Sequence, residues 1–157
     1  MRANLLWDNK DGMIKGYANI DPFCDGNDGR NLGHINNLDA SFDASELEEL
    51  IAKDILCYFP FRERSSIIKN WASKLQVGGT LVISGTDNEE LYRSVLFGKI
   101  SLDEAHNLLF GTQDKETRFK KSGISILDVV GILESVGLTL ITKILYGLNL
   151  FRKRVML

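Results

Sequence analysis

The segment from Leu47 to Asp87 constrains the fold more than any other part of the chain. An apolar run from Leu50 to Leu56 predicts a buried strand, and Arg62 to Leu75 follows a helical period, with apolar residues three and four apart. The pair Gly78-Gly79 is typical of the turn that ends such a helix, and Leu81 to Ile83 predicts a second buried strand. A strand, a crossover helix and another strand form a right-handed parallel unit. The sequence therefore predicts an α/β fold around a parallel sheet.

Further elements are predicted on both sides of this unit. Two early strands, Ala3–Trp7 and Gly16–Ile20, are separated by only about nine residues, which is too few for an ordinary crossover helix, so either the connection is a short loop or the first strand is not a strand. Ser101 and Glu104 have the spacing of a capping box. The other predicted elements are a brief third strand at His34–Asn37, a helical turn over Ala44–Glu49 capped by Ser45, helices at Asn88–Phe97, Ser101–Phe110 and Ser125–Val136, a charged loop at Gly111–Lys121, and an antiparallel hairpin of Leu138–Leu145 with Leu150–Met156.

The bulk properties exclude several classes of protein. With 157 residues the chain is expected to form a single domain, 1–157, and its net charge of −2 offers no electrostatic case for binding nucleic acid or an anionic membrane. No apolar segment approaches the ~18 residues of a membrane span, and two cysteines are too few for a disulfide framework, so a cytoplasmic location is expected. His34 and His106 have no partner at ligand spacing, so no metal site is predicted.

Several stretches resemble the class I S-adenosylmethionine-dependent methyltransferases, especially one small group of that family. Residues 48–59, EELIAKDILCYF, resemble the group's fourth strand, roughly D-x-I-Y-A-S-H-V-L-E-H-F. Residues 75–79, LQVGG, resemble its L-K-P-G-G turn, and residues 84–87, SGTD, resemble its S-V-P-D. The resemblance continues through FKKSG at 119–123 and LESVGL at 133–138. It implies a Rossmann-like methyltransferase sheet of seven strands, mostly parallel, with an antiparallel C-terminal hairpin, helices on both faces and the strand order 3-2-1-4-5-7-6.

The first loop departs from the family pattern. The family carries L-G-C-G after the first strand, because glycines let backbone amides approach the cofactor. This chain has Leu6-Trp7-Asp8-Asn9 there, with a glycine only at Gly12, and Leu56-Cys57-Tyr58 replaces the family's L-E-H. Both changes fall on the cofactor side of the fold, whereas the scaffold motifs are kept. Three interpretations stay open: an active methyltransferase, a non-catalytic member (a pseudoenzyme) that keeps the fold for binding or assembly, or a module that binds a different nucleotide, for which the sequence has no phosphate-loop signature.

The best candidate site residue is Asp21, because ligands of open α/β sheets bind beyond the carboxyl ends of the strands. GYANID, ending at Asp21, resembles the family's G-W-x-N-V-D, which implies that this carboxylate binds the ribose hydroxyls. The alternative is an aspartate that caps the turn before Pro22. Trp7 ends the predicted first strand and Asp8 follows it, and the resemblance implies that both take the place of the glycine loop beside the cofactor.

The resemblance implies two more groups of site residues. The resemblance places Asn37, Leu38 and Asp39 beside the adenine, whereas the residues by themselves favour an ordinary polar loop. Asp54 stands at the family's histidine position after the fourth strand and is the candidate catalytic residue at the mouth of the site. The implied cofactor is S-adenosyl-L-methionine, and the implied acceptor is a small molecule or a saccharide. The sequence makes no prediction of the oligomeric state.

Overall fold

The computed structural model describes residues 1–23, 35–146 and 150–156. Within these ranges six strands form one sheet in the order β2-β1-β3-β4-β6-β5. The strands β2, β1, β3 and β4 are parallel, and β6 runs antiparallel to both β4 and β5. The strands are β1 (Arg2–Leu5), β2 (Ala18–Ile20), β3 (Leu47–Lys53), β4 (Leu75–Gly85), β5 (Thr139–Tyr146) and β6 (Leu150–Met156).

This arrangement is the predicted order 3-2-1-4-5-7-6 without its third strand. The predicted third strand began at His34, which lies outside the described residues, and the three residues after it, 35–37, form a turn and irregular backbone. The described sheet therefore has six strands where seven were expected. The predicted antiparallel pairing of the last two segments is present, with Leu140 opposite Val155 and Tyr146 opposite Leu150.

Four α-helices accompany the sheet in the described part of the chain. The prediction that Ser101 begins a helix with a capping box is confirmed, because its side chain accepts from the Glu104 N–H while the Glu104 carboxylate accepts from the Ser101 N–H. Asp87 caps the preceding helix by accepting from the Glu89 N–H at 3.2 Å. The helices are α1 (Arg64–Lys74), α2 (Asn88–Leu96), α3 (Leu102–Phe110) and α4 (Ile126–Ser135).

Two local predictions around β3 are wrong. The segment predicted as a helical turn, Ala44–Glu49, instead enters β3, which begins at Leu47 and ends before the predicted Leu56. Gly78-Gly79 does not form the turn that ends α1, because the helix ends at Lys74 and the glycines lie inside β4. The β3–β4 register shifts there, and a Cβ on Gly79 would lie 3.0 Å from the Leu47 carbonyl oxygen. Glycine at 79 therefore permits close strand pairing.

The hydrophobic core joins one face of the sheet to α1 and α4. Trp71 of α1 is fully buried, and its indole N–H donates to the Ile35 carbonyl at 2.8 Å, so its polar atom is satisfied inside the core. The same cluster contains Leu50 of β3, Leu81 of β4 and Val129 of α4. This packing places the carboxyl ends of β1 and β3 next to each other at one edge of the fold.

The connection between β1 and β2 is short, as the spacing predicted. It contains a single 3-10 turn, Lys10–Gly12, in place of a crossover helix. Asn4 of β1 anchors this turn, since its side-chain amide donates to the Gly12 carbonyl at 3.0 Å and to the Asn19 side chain at 2.8 Å. Residues 6–9, which we call the first loop, are therefore held directly above the end of β1.

Candidate functional site

Three aspartates follow the carboxyl ends of adjacent parallel strands. Asp8 follows β1, Asp21 follows β2 and Asp54 follows β3. Because β2, β1 and β3 are parallel neighbours, these residues share one edge of the sheet, which we call the rim. The rim is the position at which open α/β sheets bind their ligands.

Asp21 holds the first loop against β2. Its carboxylate is 2% exposed and accepts three backbone N–H bonds, from Asp8 at 3.0 Å, Asn9 at 2.9 Å and Phe23 at 3.0 Å. A carboxylate with several amide donors is a strong local organiser of the backbone. The structure therefore gives Asp21 a loop-holding function, and its contact with ribose hydroxyls stays a prediction.

Asp8 joins the first loop to a distant segment. Its φ of 48° lies in the left-handed region, which is uncommon for a residue other than glycine. Its Oδ2 accepts from the Thr117 hydroxyl at 2.8 Å, and Lys115 Nζ and Arg118 Nε lie 3.7 and 4.0 Å from the same oxygen. The negative charge on the first loop is thus balanced by two cations from the segment before α4.

Trp7 belongs to an aromatic cluster at the rim. Its ring stacks on Tyr58, with centroids 4.9 Å apart and an 8° angle between planes. Its ring also meets Phe23 and Phe59 edge to face, with ring centroids 4.8 and 5.4 Å apart. The indole N–H donates to the Thr117 carbonyl at 2.6 Å. Trp7 is therefore packed and hydrogen-bonded in the place where the family carries glycines.

Asp54 has the properties of a functional carboxylate. It stands directly after β3 at φ 53°, held there by its N–H bond to the Ser84 carbonyl at 3.0 Å. Its half-buried carboxylate accepts no hydrogen bond from any residue in the described ranges. Burial raises the pKa of this carboxyl, and the charges of Lys120 and Lys53 only partly oppose the effect. Strained backbone and a perturbed acid together are typical of functional sites.

The Cys57 and Tyr58 side chains near Asp54 are held in their protonated forms. Burial raises the pKa of Cys57 to about 11 and the pKa of Tyr58 to about 12. Lys120 donates to the Leu108 carbonyl at 2.9 Å and lines a cavity of about 10 Å³ beside Cys57, which is roughly the size of one water molecule. Asp54 is therefore the group of this cluster best suited to accept a proton near neutral pH.

Asn37, Leu38 and Asp39 lie against α1 rather than beside Asp21. The Leu38 N–H donates to the Asn70 side chain at 2.7 Å, and Asp39 forms a 2.7 Å ion pair with Lys74. Lys74 is the last residue of α1 and precedes β4, so these contacts point toward the amino ends of the strands. The structure brings Trp7, Asp8, Asp21 and Asp54 together and leaves residues 37–39 apart from them. Adenine binding by residues 37–39 stays a prediction.

Sequence reasoning missed the partners of the first loop. Thr117 lies 110 residues from Trp7 along the chain, within a segment predicted as a charged loop. No local pattern marks such a contact. The aromatic residues Phe23, Tyr58 and Phe59 do carry a signal, since each follows a strand that ends at the rim.

No helix in the described ranges has the length and apolar character to cross a membrane. No group of His, Cys, Asp and Glu residues in the same ranges is placed to hold a metal ion.

Of three comparisons with known proteins, the one with solved structures finds matches, and those matches agree on the fold. No family model and no curated protein matches the sequence. Solved structures do match. An O-methyltransferase family protein from Burkholderia thailandensis has 19% identity and a TM-score of 0.51 over 76% of this chain and 33% of that one. A S-adenosylmethionine-dependent methyltransferase from Methanosarcina mazei has 17% identity and a TM-score of 0.53 over 78% of this chain and 64% of that one.

A third structure, the 1,6-didemethyltoxoflavin-N1-methyltransferase of Burkholderia thailandensis with S-adenosylhomocysteine bound, has 9% identity and a TM-score of 0.53 over 90% of this chain and 52% of that one. This chain thus spans 33% to 64% of the length of the three structures. It has the fold of the class I S-adenosylmethionine-dependent methyltransferases, and S-adenosylmethionine is the cofactor of that fold. The non-catalytic alternative gains no support from these neighbours.

Proposed function

We propose that this chain binds S-adenosylmethionine at the rim and transfers its methyl group to a small-molecule acceptor. The observation that carries the proposal is the pair of aspartates, Asp8 and Asp54, each in the left-handed region just beyond the end of a central parallel strand. Backbone strain of this kind persists where the surrounding structure maintains it, and it clusters at ligand sites. The fold supplies the second support, because its neighbours are methyltransferases.

The rim side chains suit this cofactor chemically. The cofactor is a sulfonium cation that carries a flat base and a ribose. Carboxylates at Asp8 and Asp54 favour a nearby cation, and the faces of Trp7 and Tyr58 favour both a cation and a flat ring. Asp21 orders the backbone of the first loop on which this surface is built.

When bound, the cofactor supplies an activated methyl group that an acceptor oxygen or nitrogen attacks in line. The chain positions the acceptor and receives the proton that it loses. Asp54 is the residue proposed for this proton, because its carboxylate is half-buried, accepts no hydrogen bond in the described ranges and has a raised pKa. A base whose pKa approaches the working pH is the more effective one. Among small molecules, a saccharide is the acceptor class that the sequence resemblance favours.

A thermal-shift titration with S-adenosylmethionine and S-adenosylhomocysteine, with ATP as the control ligand, tests cofactor binding. A ligand at 100 times its Kd stabilises the fold by roughly 2.7 kcal/mol, which raises the Tm of a domain of this size by about 5–10 °C. A shift with both adenosyl ligands and none with ATP is expected. The absence of a shift at millimolar adenosyl ligand would overturn the proposal.

The catalytic role is tested with Asp54→Asn and a panel of radiolabel-transfer assays on small acceptors, saccharides included. Asn tolerates the positive φ, so the variant is expected to bind S-adenosylhomocysteine as the wild type does and to lose methyl transfer. Asp43→Asn, at an exposed site outside the rim, is the matched control and should keep both properties. Full transfer activity in Asp54→Asn would remove Asp54 from the mechanism.

A further inference from the structure

Residues 115–118 cross over the first loop. Thr117 makes two contacts there, accepting the Trp7 indole N–H at 2.6 Å through its carbonyl and donating its hydroxyl to Asp8 at 2.8 Å. Lys115 and Arg118, on either side, lie 3.7 and 4.0 Å from the same Asp8 oxygen. We call residues 115–118 the strap.

The residues that flank the strap, 110–111 and 119–122, are its base and are held firmly by backbone contacts. The strap itself, its tip, is held by the contacts of Lys115, Thr117 and Arg118 with the first loop. Lys121 N and Ser122 N donate to the Cys57 carbonyl at 2.7 and 3.1 Å, and Lys120 N donates to Phe110 O at 3.0 Å. Gly111 stands at φ 81°, and a Cβ there would lie 1.9 Å from the Arg118 carbonyl oxygen. The base is therefore a tight loop closure that only glycine permits, whereas the tip depends on polar contacts with the half-buried first loop.

These tip contacts occupy groups that the proposed cofactor needs. The strap takes up the Trp7 indole N–H through the Thr117 carbonyl, while Tyr58, Phe23 and Phe59, which are not part of the strap, pack against the ring. The Asp8 carboxylate already faces two cations and a hydroxyl. We infer that the strap closes the first loop in the ligand-free protein and must release Trp7 and Asp8 before an adenosyl cofactor binds. This inference rests on the proposed function and adds a gate to it.

A gate of this kind has an unusual consequence, because loss of a contact between the strap and the first loop strengthens binding of the adenosyl cofactor. If the closed form dominates, the apparent Kd is the intrinsic Kd divided by the open fraction. The Thr117 hydroxyl bonds a charged carboxylate, and removal of one such bond that exists only in the closed form raises the open fraction about tenfold. A contact with a merely structural role would leave cofactor binding unchanged or weaken it.

The decisive variant is Thr117→Val, which keeps the side-chain shape and removes the hydroxyl that bonds Asp8. Its matched control is Thr112→Val, because the Thr112 hydroxyl bonds Asp114 and lies outside the contacts with the first loop. The measurement is the Kd and association rate of S-adenosylhomocysteine, followed by tryptophan fluorescence in stopped flow. Trp7→Phe identifies the part of the signal that comes from Trp7, since Trp71 is the second tryptophan of the chain.

A second variant, Gly111→Ala, opens the strap from its base, and Gly98→Ala is its control. Both glycines have positive φ, but a Cβ at Gly98 meets nothing within 4 Å, so the pair separates the clash with Arg118 from the backbone cost. We expect Thr117→Val to bind about tenfold more tightly than wild type and Gly111→Ala to bind more tightly as well, both through faster association, and the controls to match wild type.

Unchanged or weaker binding in Thr117→Val, with the fold intact by circular dichroism, overturns the gate and leaves the proposed function standing. Absence of binding in every protein, wild type included, overturns the proposed function and the gate together. Tighter binding in Thr117→Val alone, with Thr112→Val at the wild-type Kd, supports the gate.

Discussion

Replacement of Asp21 by asparagine is expected to destabilise the ligand-free protein strongly. The carboxylate is 2% exposed, and its two oxygens accept from Asp8, Asn9 and Phe23. The asparagine Oδ1 can still accept from two of these amides, but its NH₂ group then faces the third. One buried N–H loses its partner, at a cost of about 1–3 kcal/mol. The two remaining bonds fall from charged to neutral strength, which adds roughly 1 kcal/mol.

The sum is about 2–4 kcal/mol, a large part of the 5–15 kcal/mol typical of a folded domain. For a chain of 157 residues it corresponds to a fall in Tm of roughly 5–15 °C. The assay is urea unfolding without ligand, followed by circular dichroism, with the exposed Asp43→Asn as control. A purely ribose-binding Asp21 would leave the ligand-free protein unaffected. A difference below about 0.5 kcal/mol between Asp21→Asn and wild type would therefore refute the loop-holding function.

Three further predictions follow. Because burial raises the pKa of Asp54, the folded state binds its proton more readily than the unfolded state, so the unfolding free energy falls as pH rises from the ordinary aspartate range through the raised pKa. Asp54→Asn should remove this fall, so the variant should be at least as stable as wild type at pH 7. The measurement is urea unfolding between about pH 4 and 8, and a lower unfolding free energy for the variant at pH 7 would contradict the predicted direction. Ser101→Ala removes the acceptor of the Glu104 N–H and should cost about 1 kcal/mol by thermal denaturation, an unchanged Tm being the contrary result. With a pKa of about 11, the Cys57 thiol should resist Ellman's reagent at pH 8 until the protein unfolds, assayed in a Cys24→Ser background; rapid reaction of the native protein would show an accessible thiolate.

Locally encoded features were the ones that the sequence predicted well. The Ser101 capping box needs only two residues three apart, and the structure has both of its bonds. The spacing of the first two strands left either a short loop or a misread first strand, the family resemblance favoured the loop, and a single 3-10 turn fills it. The parallel unit around Leu50 and Leu81 follows from apolar patterning, and both residues are fully buried in adjacent strands.

Features that depend on pairing were predicted less well. The Gly78-Gly79 pair has the composition of a helix-ending turn, yet it lies within β4 because β3 approaches closely there. The segment ahead of β3 has helical composition, but Leu47 pairs with Leu75 and extends the strand instead. In both cases pairing with the neighbouring strand decides the backbone conformation, and the local sequence does not specify which strand that neighbour will be.

The sequence by itself determined the class of fold and the position of Asp8, Asp21 and Asp54 at the rim, because strand ends and chain order follow from local patterns, whereas Asp39, which was expected on the same rim, lies against α1. Only the tertiary structure decided what those aspartates do. Asp21 turns inward to three backbone amides, Asp54 remains without a hydrogen-bond partner in the described ranges, and Asp8 meets a segment 109 residues away. The physical reason is that hydrogen bonds and ion pairs depend on distances of a few ångströms in space, which separation along the chain does not specify.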